Sequence, residues 1–143
     1  MGHQQRIVLY RKIEEMRGHP LLVYITSLRP NASGQMAPDV IPEIIQQIID
    51  IPESQTEVDL LIVSNGGDPI VAWRIVNFLR ERFKQYNVLL PYVAYSAATL
   101  LALGADQIVM HPFANLGPVD PQITSIRQSE GQSPQTKNFG SED

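Results

Sequence analysis

The chain contains no cysteine among its 143 residues. This absence excludes disulfide bonds, thiolate zinc sites and catalysis by a thiol, and it leaves the cellular compartment undecided. Charged residues are also sparse, at 18% of the chain, and the formal net charge is −4. Because Lys and Arg form no cluster or stripe, we do not expect nucleic acid as a partner.

Long apolar runs and several catalytic signatures are missing as well. Pro91, Ser96 and Gly104 interrupt the longest apolar stretches, so no segment is predicted to span a membrane. Residues 1–6 lack the apolar core of a secretory signal. No HExxH, P-loop or GxGxxG motif occurs, so we expect no metal and no cofactor. We expect a cytoplasmic protein, with membrane association kept as an alternative.

Short apolar strands alternate with amphipathic helices over most of the chain. After a weakly amphipathic helix at about 5–17, the pattern predicts strands at 21–26, 58–63, 88–94 and 107–110. It also predicts three further helices: one capped by Asp39, one over about 70–84, and one that starts after Ser96. Such alternation implies right-handed crossovers and a mostly parallel sheet, so the predicted class is α/β.

The composition changes near residue 125. Segment 127–137 is rich in Gln, Ser, Gly and Pro and predicts a mobile polar loop. Ser141 with two following acids resembles a helix start, and the sequence stops there. We therefore expect a core over 1–124, a polar tail over 125–143, and a fragment or a short version of a longer protein.

Two loops contain the residues that indicate a catalytic function. Gly66 and Gly67 follow a strand, where the lack of a Cβ leaves backbone N–H groups accessible to a ligand. Ser96 lies where an extended segment becomes a helix, and the unpaired N–H groups of a helix start stabilise a developing oxyanion. One loop could therefore supply donors and the other a nucleophile, as acyl transfer requires.

Three motifs in order resemble the serine dehydrogenase proteinase family. They are SNGG at 64–67, YSAATLLALGAD at 95–106 and LGPVDPQ at 116–122. That family is related to the Clp protease proteolytic subunit and signal peptide peptidase A, on the crotonase-like fold. The resemblance implies a ClpP/crotonase-like spiral of β-β-α units, a serine peptidase that hydrolyses peptides or proteins, and assembly into a homo-oligomer.

The resemblance also implies the roles of individual residues. Ser96 takes the position of the nucleophile, and the N–H groups of Gly67 and Ala97 take the oxyanion hole. Gly66 and Asp68 fall in the loop that contacts the substrate.

The general base is less clear from the motifs. His111 falls too early to match the Clp histidine, and it ends a strand as a turn or surface residue would. Relatives of signal peptide peptidase A use a lysine from a later segment, and Lys137 is the only lysine after Ser96. We therefore predict a Ser96–Lys137 dyad, and a base beyond residue 143 is the alternative.

Two other functions remain open at this point. The fold could persist without its base as a catalytically incomplete assembly or binding module. Acyl-CoA hydration or isomerisation rests on fold analogy alone, and no Glu lies near either loop.

Overall fold

The computed structural model describes residues 2–119, 123–127 and 135–139. Four helices and eight strands occur in these ranges. The helices are α1 (His3–Arg17), α2 (Val40–Ile49), α3 (Pro69–Arg82) and α4 (Ala97–Leu103). The strands are β1 (Leu21–Ile25), β2 (Glu57–Val63), β3 (Gln85–Leu90), β4 (Val93–Ala94), β5 (Gln107–Met110), β6 (Asn115–Leu116), β7 (Ile123–Arg127) and β8 (Gln135–Phe139).

The main sheet is parallel throughout and has the strand order β1-β2-β3-β5. Its register places Leu22 beside Leu60, Leu60 beside Val88, and Val88 beside Ile108. The central strands β2 and β3 are almost entirely buried, because helices follow them and cover the sheet. This arrangement confirms the predicted α/β class with a mostly parallel sheet.

A second, smaller sheet lies beyond the carboxyl ends of the main strands. Strands β4 and β6 pair in parallel, and a bridge between Ser64 and Ala94 joins the end of β2 to them. Another bridge, between Met36 and Gly67, adds the chain that follows β1. The order of long strand, short strand and helix occurs in β3-β4-α4, and single bridges take the place of the short strand after β1 and β2. This is the β-β-α unit that the family resemblance implies.

Proline 91 explains one difference from the sequence prediction. The strand expected over 88–94 is two strands, β3 and β4, separated by a bend at Pro91 and Tyr92. Proline cannot donate to a sheet ladder, so the chain leaves the main sheet there and enters the second one.

Helix α2 packs against the core through only part of its isoleucines. Ile44 and Ile48 are buried in the core, whereas Ile49 is 67% exposed. Asp39 is the N-cap residue of this helix, as predicted, but it does not cap through its side chain. Its backbone is already helical and its carboxylate makes no capping hydrogen bond, which leaves the N-terminus of α2 without a side-chain cap.

The polar tail also differs from expectation. Strands β7 and β8 pair in antiparallel fashion, with Ser125 opposite Lys137, so the prediction of a loop is wrong for these residues. Their backbones satisfy one another's hydrogen bonds, which a composition-based argument does not detect. The helix start predicted at Ser141 lies outside the described residues, and the division at residue 124 stays a prediction.

A membrane-spanning helix would have to be long and apolar. No helix within 2–119, or elsewhere in the described part of the chain, meets both requirements.

Candidate active site

Ser96 lies in a sharp turn between strand β4 and helix α4. Its backbone has φ 51° and ψ −121°, and it is one of two described non-glycine residues with positive φ. Such a conformation costs about 1–3 kcal/mol and persists only where the surroundings impose it. At a strained turn between a strand and a helix, the side chain projects away from the backbone and its hydroxyl is exposed, as in the nucleophile elbows of hydrolases.

Backbone hydrogen bonds on both sides impose this turn. The N–H of Ser96 donates to the carbonyl oxygen of Pro118 at 3.2 Å, and the N–H of Tyr95 donates to that of Ser64 at 3.0 Å. The carbonyl oxygen of Ser96 accepts from Thr99 at 2.9 Å, which begins α4. The strained turn is therefore fixed by the residues that follow β2 and β6 and by its own helix.

The Ser96 side chain does not cap its own helix. Ser96 occupies the N-cap position of α4, yet its side chain makes no capping hydrogen bond. Its Oγ has no hydrogen-bond partner within the described ranges, and the residue lines a cleft of about 850 Å³. A serine at this position usually caps the helix. Because Ser96 makes no capping hydrogen bond, a functional role is favoured.

Two backbone N–H groups of the same cleft are also unused. Met36 bonds to the residues on either side of Gly67, because its N–H donates to the Gly66 carbonyl at 2.7 Å and its carbonyl accepts from Asp68 at 2.8 Å. In a parallel bridge this pattern turns the N–H of Gly67 away from Met36. Neither that N–H nor the N–H of Ala97, the first residue of α4, donates to another described residue.

Gly66 brings the two loops into direct contact. A Cβ at this position would overlap the Tyr95 carbonyl oxygen and would lie 2.9 Å from both Ala97 N and Ser96 Cβ. Its φ of 91° is a second reason for glycine. Glycine at residue 66 therefore allows the Gly67 and Ala97 donors to approach the same point beside Ser96.

Of the ionisable residues considered for the site, neither His111 nor Asp68 lines the cleft. No His, Lys, Asp or Glu lines the cleft within 2–119. His111 is an exposed turn residue, as predicted, whose Nδ1 accepts from the N–H of Phe113 at 3.2 Å. Asp68 caps α3, and its carboxylate accepts from the N–H of Ile70 at 2.8 Å. The backbone of Lys137 lies in β8.

A buried hydroxyl beside the site was missed by the sequence analysis. Ser64 is fully buried, and its Oγ accepts from the N–H of Gly66 at 3.0 Å and from Thr26 Oγ1 at 3.1 Å. Burial raises the pKa of the Tyr24 hydroxyl in the same part of the core. The available signal was a hydroxyl residue directly before a glycine turn, after the apolar residues 60–63 that end the strand.

Comparisons with known proteins agree with this geometry. Residues 36–131 match the family of ClpP-like SDH-type serine proteinases. The uncharacterized proteins MJ0137 and MJ1495 of Methanocaldococcus jannaschii are each 40% identical to the chain over 81 residues, which are 57% of this chain. Those residues are 28% and 27% of the two proteins, so the chain spans less than a third of the length of these curated relatives.

The fold agrees with a solved structure as well. The ClpP protease catalytic domain from Plasmodium falciparum superposes with a TM-score of 0.54 at 10% sequence identity, over 78% of this chain and 61% of that one. At this identity the likeness shows the fold alone, and it confirms the ClpP-like class. Since the family match covers more than half of the sequence and includes both loops of the cleft, the chain belongs to the ClpP-like SDH-type serine proteinases.

Proposed function

We propose that the protein is a serine peptidase that hydrolyses peptide bonds through an acyl-enzyme on Ser96. The observation that carries this proposal is the Ser96 hydroxyl on a strained turn, in a cleft with two backbone N–H groups. None of the three groups has a partner among the described residues. Backbone donors arranged in advance stabilise negative charge without reorganising during the reaction, which makes them effective catalysts of acyl transfer.

The chemistry follows from these groups. Ser96 Oγ attacks the peptide carbonyl carbon while a general base removes its proton, and the carbonyl oxygen gains the negative charge. The N–H groups of Gly67 and Ala97 donate to that oxygen. When the C–N bond breaks, the conjugate acid of the base protonates the leaving amine, and water then hydrolyses the ester on Ser96 by the reverse roles.

Lys137 is the proposed base, which makes the protein a Ser–Lys peptidase. A lysine accepts a proton only when neutral, so burial in the catalytic state would have to lower its pKa towards neutrality. Support comes from the sequence, in which Lys137 is the only lysine after Ser96, and from the lack of His, Lys, Asp and Glu around the cleft within 2–119.

The same lack of ionisable groups favours a second candidate, a catalytically incomplete ClpP-like assembly or binding module. In that case the cleft would bind an extended peptide without cleaving it. The two candidates differ in whether Ser96 is nucleophilic.

We further propose that the protein acts as a homo-oligomer on peptide or protein substrates. Ile70 and Trp73 on α3 are 64% and 66% exposed, and large exposed apolar side chains on one helix are typical of protein contacts. A cytoplasmic location, with or without a membrane-associated partner, stays a prediction.

Labelling with a fluorophosphonate, read by intact mass, tests the proposed function. We expect the unaltered chain to gain one phosphonyl group and Ser96→Ala to gain none. Ser33→Ala is the matched control, because Ser33 lines the same cleft; it should label like the unaltered chain. Lys137→Ala should slow labelling at least 10-fold if the lysine is the base.

Each other outcome has a separate meaning. Labelling that survives in Ser96→Ala contradicts the nucleophile, whereas labelling lost only with Ser96 means a base other than Lys137. A folded chain that does not react at all supports the binding module.

A further inference from the structure

Ser64 connects the two halves of the proposed oxyanion hole, although it does not line the cleft. Its main chain makes two hydrogen bonds with the segment that leads to Ser96. The N–H of Ser64 donates to the Val93 carbonyl at 3.0 Å, and the carbonyl of Ser64 accepts from the N–H of Tyr95 at 3.0 Å. Its side chain holds the other loop through the N–H of Gly66. One fully buried residue thus sets the spacing between the turn at Ser96 and the glycine loop.

The hydrogen bond to Ser64 decides which glycine N–H faces the cleft. The N–H of Gly66 is used by Ser64 Oγ, and its carbonyl is used by Met36. Both polar backbone groups of Gly66 are therefore fixed inside the protein. Gly67, the next residue, has an N–H that donates to no other described residue.

Thr26 orients the Ser64 hydroxyl in turn. Its N–H donates to the Val63 carbonyl at 2.9 Å, which fixes its backbone just beyond β1, and its Oγ1 donates to Ser64 Oγ at 3.1 Å. A hydroxyl that accepts two hydrogen bonds has little rotational freedom, so the position of its oxygen is defined.

We propose that the Thr26–Ser64 hydroxyl pair is a positioning element that aligns the Gly67 N–H with the developing oxyanion. The proposal rests on the proposed function of Ser96. Neither hydroxyl touches the substrate; both act through Gly66. Without them Gly66 would have an unpaired buried N–H, and the peptide plane before Gly67 would rotate to find another partner.

Thr26→Val tests the pair directly, because valine keeps the shape of threonine and removes the hydroxyl. The measurements are the rate of fluorophosphonate labelling and the kcat and KM for hydrolysis of p-nitrophenyl acetate. We expect Thr26→Val and Ser64→Ala to lower kcat and the labelling rate about 10-fold, with KM changed less than two-fold. This loss of rate is smaller than the 10²–10³-fold loss that follows complete removal of an oxyanion-hole donor. Thr26→Ser, which keeps the hydroxyl, should restore both rates to within two-fold.

Tyr86→Phe separates positioning from stability. The Tyr86 hydroxyl is also buried and donates to the Leu101 carbonyl at 3.0 Å, near the opposite end of the sheet. Its removal should lower Tm but leave kcat unchanged. The proposal would be overturned if Thr26→Val kept the full kcat, or if its kcat fell only in proportion to the fraction of the variant that is unfolded. Absence of labelling and of ester turnover in the unaltered chain would instead overturn the proposed function, and this inference with it.

Discussion

Glycine 66 shows how a single missing side chain permits the site. Only hydrogen occupies the space between its Cα and the Tyr95–Ala97 backbone, and a Cβ would lie 2.9 Å from Ala97 N. Because these neighbours are backbone atoms and the Cβ of the strained serine, they cannot rotate out of the way as a flexible side chain would.

We therefore expect Gly66→Ala to lower the free energy of unfolding by about 3 kcal/mol, from steric overlap together with the positive φ. The loops would separate, so labelling of Ser96 should be lost even where the variant remains folded. Urea unfolding and fluorophosphonate labelling measure the two effects.

Gly18→Ala is the matched control. Gly18 ends α1 with φ 76°, but a Cβ there would meet no atom within 4 Å. Its cost should be only the backbone strain, about 1–2 kcal/mol, and labelling should persist. Equal losses in the two variants would mean that contact with Ser96 is not what requires glycine at residue 66.

At the scale of elements, strand β2 carries functional and structural polar residues at its two ends. Ser64 follows its carboxyl end, whereas Asp59 lies near its start and is fully buried. Arg17, at the end of α1, donates from Nε to Asp59 at 2.7 Å, and Asn87 of β3 donates to the same carboxylate at 3.0 Å. The hydrogen bond with Asp59 raises the pKa of Arg17.

This ion pair attaches a helix that has no buried residue of its own. We expect Arg17→Met to destabilise the protein by about 3 kcal/mol, because it leaves a buried carboxylate without its cation. Asp59→Asn should cost less, since the Arg17 side chain is 30% exposed and can be hydrated. Urea unfolding of both variants checks the order; a larger loss in Asp59→Asn would contradict it.

At the scale of the whole molecule, Asp106 is expected to contribute to the dependence of stability on pH. Its carboxylate accepts from Arg80 at 2.8 Å and from the N–H of Tyr86 at 2.9 Å. The hydrogen bond with Arg80 lowers the pKa of Asp106, and the bond from Tyr86 adds to this. A carboxyl whose pKa is lower in the folded state stabilises the fold above its unfolded pKa, and this stabilisation is lost as the pH falls through the folded value.

Asp106→Asn should therefore destabilise the protein at pH 7, and its difference from the unaltered chain should shrink as the pH falls below about 4. Because both partners are about a third exposed or more, the difference at pH 7 should be no more than about 1 kcal/mol. Urea unfolding at pH 7 and pH 3 measures it. Glu53→Gln, at an exposed site, is the control, and a gap for Asp106→Asn that does not change with pH would contradict the assignment.

Local patterns predicted the elements that a short segment can specify. The strand β2 and the helix after Ser96 were both found within a few residues of their predicted positions. The split at Pro91 was only partly foreseen, because proline indicates an interruption but not the sheet to which the chain moves next. Strands β7 and β8 were missed because their composition is polar and their pairing joins residues distant in sequence.

The sequence by itself determined the parallel α/β class, the family resemblance and the candidate residues at 66–67 and 96–97, because strand periodicity and motif order are local properties. Only the tertiary structure decided that Gly66 lies against Ser96, that the serine hydroxyl does not cap its helix, and that Ser64 and Thr26 support the glycine loop. The contact between Gly66 and Ser96 and the hydrogen bond between Thr26 and Ser64 join residues at least 30 positions apart in the chain, where no local pattern specifies which groups meet.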